Sequence, residues 1–163
     1  MPLNGKHYYA VFIIDVYTKK IVGYKVSDNM RAEANLSALK MALKDNQAPK
    51  IHHSDRGSQY TYGKYLDLLK LNETKISMCY SGLDNAYAER INRTIKEEYL
   101  SYWNPKTFNQ LKNNVKKAVE NYNKVRTHKH LPKMCPVEFE EYWATLSKNN
   151  KPIITIFNNE INN

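Results

Sequence analysis

The sequence predicts an α/β domain, a mixed sheet flanked by helices, and three observations carry that expectation. Tyr8 to Val16 is a nearly continuous apolar run, the pattern of a strand covered on both faces. After the polar pair Lys19-Lys20 a second apolar stretch, Ile21 to Val26, reads as its antiparallel hairpin partner. Beyond these, helix-like segments at Arg31 to Lys44 and Tyr60 to Leu71 alternate with short strand-like runs at Pro49 to His53 and Lys75 to Met78.

Each element has a local reason. Ala34, Leu36, Leu39, Met41 and Leu43 put helical spacing into the first helix, and Asp28 or Asn29 is placed to cap its start. The Pro49 to His53 strand delivers Asp55 to its carboxyl end, where ligands collect in α/β sheets. A further helix is expected from Asp84 towards Tyr102: Tyr87, Ile91, Ile95 and Tyr99 form an apolar stripe roughly opposite Glu89, Arg93 and Lys96. Pro105 breaks that pattern. Thr107-Phe108-Asn109-Gln110 has capping-box form ahead of a basic helix to about Asn123, and Pro136 starts a last helix through Leu146. No internal repeat or Gly/Ser linker divides the chain, so residues 1–146 are expected to form one domain. Residues 147–163, with Ile153-Ile154-Thr155-Ile156-Phe157 amid polar neighbours, read as a tail or an edge strand.

Composition narrows the classes of function without choosing one. The 163 residues are one domain's worth, and 42% hydrophobic content is that of a globular chain, not a disordered one. Lys and Arg number 25 against 16 acids, a net +9 and a pI near 9.4, which points to a polyanionic partner. Arg90 to Lys133 holds eleven of those cations against three Glu, so it supplies nearly all of the excess. A solvated helical face explains such charge equally well when taken alone. The interleaved Tyr99, Tyr102, Trp103 and Tyr122 suit stacking on bases or packing, and packing is expected for most. No apolar run reaches membrane-spanning length and Met1 starts no export leader. Cys79 and Cys135 stand alone, as free thiols do in a reducing cytosol. His52-His53 and His128/His130 lack cysteines at ligand spacing, so structural or DNA-contacting roles are expected of them in place of zinc binding.

Three separated motifs sharpen the reading. His53-Ser54-Asp55-Arg56-Gly57-Ser58-Gln59-Tyr60 sets a carboxylate at a strand end, and Asp84-Asn85-Ala86-Tyr87-Ala88-Glu89 sets another in a helix. Tyr122-Asn123-Lys124-Val125-Arg126-Thr127-His128 follows, with Leu131 and then Pro136-Val137-Glu138-Phe139. Asn92, Arg93 and Lys96 fall near Glu89 on its helix, at i+3, i+4 and i+7. In this order and approximate spacing the motifs HSDxGxxY, DNAxxE and YNxxRxH resemble the DDE transposases and retroviral-type integrases, most closely the bacterial insertion-sequence group. The resemblance runs from about Tyr9 to Trp143. Thirty-three residues separate Asp55 from Glu89, roughly two fewer than is usual in that family, a shortening around Ser81-Gly82-Leu83 that a surface loop tolerates.

The resemblance implies an RNase H-like fold entered at its second strand. The family's first catalytic Asp sits on a preceding strand, in a pattern like W-x-x-D-I/V-T, which lies before the segment matching Tyr8 to Tyr24. Without that strand a central hydrogen-bonding edge and apolar surface are exposed, a stability and aggregation problem. Asp15 offers a superficial third acid, but it matches the Asp of the family's turn after the second strand, where a capping role is expected. The implied chemistry is two-metal phosphoryl transfer with Mg²⁺ or Mn²⁺. Asp55 and Glu89 are its candidate catalytic and metal-binding residues; Asn92, Arg93, Lys96, Lys124, Arg126 and His128 are the candidate DNA contacts. The implied partners are insertion-element ends, target DNA and further copies of the chain, in a bacterial cytoplasm. Two alternatives stay open: a catalytically dead remnant that binds DNA or a full-length transposase, and a hydrolytic RNase H-like nuclease, which gives no reason for YNxxRxH.

Overall fold

The computed structural model describes residues 2, 3, 5–79 and 85–151. It opens with a two-residue antiparallel ladder, β1 (Pro2–Leu3) on β2 (Lys6–His7), with Pro2 opposite His7 and Leu3 opposite Lys6. Gly5, in the connection, has φ 77°, a left-handed conformation that glycine adopts without a steric penalty. The expected hairpin follows. β3 (Tyr9–Ile14) pairs with β4 (Ile21–Ser27) from Tyr9 opposite Ser27 to Ile14 opposite Ile21, with an irregularity between Ile13 and Ile14.

Helix α1 (Ala32–Asp45) packs across this hairpin. A Cβ at Gly23 would collide with the Ala38 carbonyl oxygen and touch Ala42, so the close approach of helix to strand requires glycine there. Neither Asp28 nor Asn29 caps the helix as expected: the N-cap is Arg31, without a side-chain cap bond, and the Asn29 carboxamide closes the turn before it by accepting the Arg31 N–H at 3.1 Å. β5 (Ile51–Ser54) and β6 (Lys75–Met78) lie parallel, connected through α2 (Gly63–Leu71). This helix starts three residues later than expected, because the Tyr60 and Thr61 amides both donate to the Gly57 carbonyl in a tight turn.

The second half is helical. α3 (Ala86–Thr94) runs through a π-wound turn at Ile95–Leu100 into α4 (Ser101–Trp103), which stops at Asn104 in the left-handed region, φ 44°. After Pro105, α5 (Phe108–Lys124) is capped by Thr107, whose Oγ1 accepts the Gln110 N–H at 3.2 Å. The Gln110 side chain reaches back to the Lys106 N–H, at 2.8 Å, so the capping box is displaced by one residue. α6 (Pro136–Thr145) begins with its proline, and Glu138 accepts the Cys135 N–H at 2.8 Å.

Two cores sandwich the sheet. Ile21 and Val26 meet Ile91, Ile95, Leu111, Val115 and Tyr122 on one face; Leu39, Tyr65 and Leu69 close the other, with Ile13 and Ile76 packed against them. The strand directions are mixed as expected, yet among the described residues the sheet is not continuous: β3–β4 and β5–β6 are separate two-stranded ladders. β3 is correspondingly not buried on both faces. Tyr9 is exposed and the rest of the strand half-buried, and Ile51 on β5 is 54% exposed. The expected helix start at Asp84, the loop at Ser81-Gly82-Leu83 and the segment Ile153 to Phe157 lie outside the described residues.

Candidate active site

A groove of about 290 Å³ occupies the break in the sheet. Tyr9 to Phe12 form one wall, Asp55, Gly57 and Tyr60 another, and Ala88 and Asn92 of α3 close it. Asp55 reaches this place because β5 ends at Ser54 and the chain turns: the Gly57 N–H donates to Asp55 Oδ1 at 2.8 Å, fixing one carboxylate oxygen. Tyr60 sits beside it, and burial, with a further contribution from the Asp55 charge, pushes its phenol pKa up; its hydroxyl is hydrogen-bonded to Asn35.

Glu89 lies between the groove residues Ala88 and Asn92 on α3. Its carboxylate is exposed and accepts a hydrogen bond from Arg93 Nη2 at 2.8 Å along the helix surface. Asn92 donates to the Ala88 carbonyl at 2.9 Å. Together with Lys96 it also lines a second depression, of about 240 Å³, bounded by Tyr8, Tyr9 and Leu100. Lys124 is exposed at the end of α5. Asp55 therefore lines the groove, and Glu89 stands on the helix that closes it without lining it itself; among the described residues no three His, Cys, Asp or Glu side chains gather as a metal-binding group.

Asp15 is no substitute. Its Oδ1 accepts the Tyr17 N–H at 2.9 Å and its Oδ2 accepts the Thr18 hydroxyl at 2.8 Å, so both oxygens stabilise the β3–β4 turn. His52 is buried against Tyr65, Nε2 to hydroxyl 2.9 Å, and His53 Nδ1 is 2.9 Å from the Ser77 hydroxyl; both are structural. Of the aromatics, Tyr122 is buried and Tyr99 and Trp103 are half-buried, while Tyr102 is 85% exposed.

Arg126 and His128, expected as DNA contacts, are both engaged within the fold. The Arg126 guanidinium forks onto Glu98, Nε to Oε2 and Nη2 to Oε1 both at 2.6 Å. It lies over the Tyr122 ring, and His128 packs edge-on against that ring with centroids 4.9 Å apart. A guanidinium with two N–H edges on a carboxylate is no longer a free phosphate ligand. The adjacent Asn123 amide pairs with both backbone groups of Ile21, each at 2.9 Å. Sequence reasoning assigned no role to Asn35, Glu98 or Asn123. Only the YNxxRxH spacing marked Asn123, and no local pattern pairs Glu98 with a residue 28 positions away.

A broken mixed sheet with one acid at a strand end and another on the helix closing the gap defines the class as an integrase-type catalytic core of RNase H-like fold. Solved structures share it: the HTLV-2 integrase catalytic core domain in complex with magnesium superposes with a TM-score of 0.69 at 15% identity, covering 85% of this chain and 88% of that one. The family description "Integrase core domain" matches residues 1–82, and a second description of the same name matches residues 72–136. The chain belongs to this integrase core family, in the DDE transposase group. The insertion element IS600 uncharacterized 31 kDa protein of Shigella sonnei is 36% identical over 144 residues, 85% of this chain and 53% of that protein. The transposase for insertion sequence element IS904 of Lactococcus lactis is 32% identical over 147 residues, 87% and 58%. The chain thus spans about half the length of the curated relatives it matches.

Proposed function

We propose that this chain is a portion of a transposase catalytic core that cuts and joins DNA by Mg²⁺- or Mn²⁺-dependent phosphoryl transfer, with Asp55 and Glu89 as two of the metal-holding carboxylates. The observation that carries this reading is the single groove that Asp55 and the Glu89 helix share at the break in the sheet. Oxygen donors of this type fit a hard divalent cation, and such ions, when bound, activate the attacking oxygen and stabilise the leaving one. The donor number falls short by one acid. No step is therefore assigned to a metal held by the described residues alone.

In this reading a further strand fills the break and brings the third carboxylate. One edge of β3 is taken by β4, so only the groove side is open. DNA would be held by Asn92, Arg93, Lys96 and Lys124, with the element's ends and target DNA as substrates, in the cytoplasm and by several copies acting together. No helix among the described residues is long and apolar enough to cross a membrane.

A second reading, a DNA-binding remnant without chemistry, is favoured by the absence of a three-acid cluster among the described residues. Mn²⁺-dependent nicking of supercoiled DNA separates the two, with this chain tested beside Glu89→Gln and an in-frame upstream extension. Nicking by the extended form that Glu89→Gln abolishes supports the core reading. If neither form nicks yet both bind DNA, the remnant reading replaces it. Nicking that survives Glu89→Gln overturns the assignment of the site.

A further inference from the structure

The helix that carries Glu89 changes its winding at Ile95–Leu100, and the reason lies on both of its sides. Ile95 is 1% exposed and Leu100 2%. Residues five apart on an α-helix point about 140° away from one another, whereas i→i+5 winding stacks them, so the π turn lets both face one core. On the opposite side Glu98 receives the Arg126 fork. Arg126 is itself held in place: Tyr122 is buried beneath it, and Asn123 pins the end of α5 to the backbone of Ile21. His128 packs on Tyr122, and its backbone N–H donates to Met134 at 3.0 Å, closing the loop that seats the fully buried Leu131. The whole YNxxRxH segment is thus a clasp between sheet, α5 and the π turn.

We propose that Arg126 is a positioning residue: through Glu98 it holds the π turn, and so sets the rotation at which the Glu89 helix presents Asn92 to the groove and Lys96 to the depression beside it. Relaxing a π turn to α winding turns everything beyond it by one residue's worth, about 100°, which would carry Asn92 out of the groove wall. The functional consequence rests on the DNA-processing reading above, whereas the clasp itself does not.

The test uses Glu98→Gln, Arg126→Gln, the double Glu98→Gln/Arg126→Gln and the exchanged pair Glu98→Arg/Arg126→Glu, each in the full chain well below its melting temperature. Amide hydrogen exchange decides the clasp without DNA. Residues 90–101 should exchange about tenfold faster in both single variants, no faster in the double, and near the wild-type rate in the exchanged pair. Unchanged exchange in the singles overturns the proposal. Affinity for a short DNA duplex then separates positioning from direct contact. A positioning Arg126 makes both single variants bind about three- to tenfold more weakly, non-additively, with recovery in the exchanged pair. A phosphate-contacting Arg126 gives opposite signs, because removing the Glu98 charge would tighten binding while removing Arg126 loosens it. Opposite signs overturn the proposal, as does a lowered melting temperature with affinity untouched, which would leave Arg126 a mere staple. A wild-type chain that binds no DNA would sink the functional reading while the exchange result still judged the clasp.

Discussion

On the α5 side of the β3–β4 hairpin, Asn123 gives both ends of its amide to Ile21, Arg126 is forked on Glu98, and Leu111, Val115 and Ala118 are at most 2% exposed. At the other edge of that hairpin, β3 has no strand beside it among the described residues, and a groove lies between it and Asp55. Two regions a few residues apart thus differ in whether their polar and apolar groups are satisfied. The closed side is a scaffold that tolerates no missing partner. The open side holds Asp55, and the helix that closes it carries Glu89.

The contrast can be broken most forcefully by filling the open side. An in-frame upstream extension that adds a strand beside β3 should raise the melting temperature by about 10 °C, as several kcal/mol of apolar burial does for a domain of this size. No change in the melt would show that the groove is not a strand slot. On the α1 face of the hairpin, Gly23→Val drives a branched side chain into the Ala38 carbonyl and Ala42 and should cost about 3 kcal/mol in urea unfolding. A cost below about 1 kcal/mol would show that α1 is not seated tightly.

Acid should weaken the packing around two histidines before it reaches the carboxylates. His52 and His128 have pKa values of about 4 in the fold, against an ordinary 6.5. Burial disfavours both charged rings, with His53 adding to the effect at His52 and Arg126 at His128. The unfolded chain therefore takes up these protons first. Stability is complete above about pH 6.5 and is lost as the pH falls towards 4, by roughly 2 to 3 kcal/mol for the more deeply buried His52. His52→Gln should flatten that part of a melting-temperature profile, and an unaltered slope would refute the assignment. Asn123→Ala strands the Ile21 N–H and carbonyl and should cost about 2 kcal/mol. The smallest effect is expected at the surface pair: Arg93→Ala, which frees an exposed Glu89, should change stability by less than about 0.5 kcal/mol. A larger loss would mean that the pair is structural and that Glu89 is not available for a ligand.

Much of the fold and part of the site could be read in advance, for reasons particular residues make plain. The stripe Tyr87, Ile91, Ile95 and Tyr99 located the buried face of α3, and Asp55 after a short apolar strand located a loop at a sheet's carboxyl end. Asp15 was placed in its turn because a short carboxylate beside Tyr17 and Thr18 satisfies nearby donors. The Glu98 partner of Arg126 was not legible, because a guanidinium looks the same in sequence whether its partner is a phosphate or a carboxylate 28 residues away. The π turn was also hidden, since Ile91, Ile95 and Tyr99 fit α spacing and only the demand that Leu100 share their core forces the extra residue.

By itself the sequence determined the local elements, the basic excess beside Glu89, and the family, because hydrophobic period, turn chemistry and ordered motifs act over a few residues. Tertiary structure alone decided that the sheet is interrupted, that Asp55 and the helix carrying Glu89 meet at one groove, and that YNxxRxH is tied to Ile21 and Glu98. Those are outcomes of which distant backbone and side-chain groups find partners, and the energy of leaving a buried polar group without one is settled only when the chain has folded.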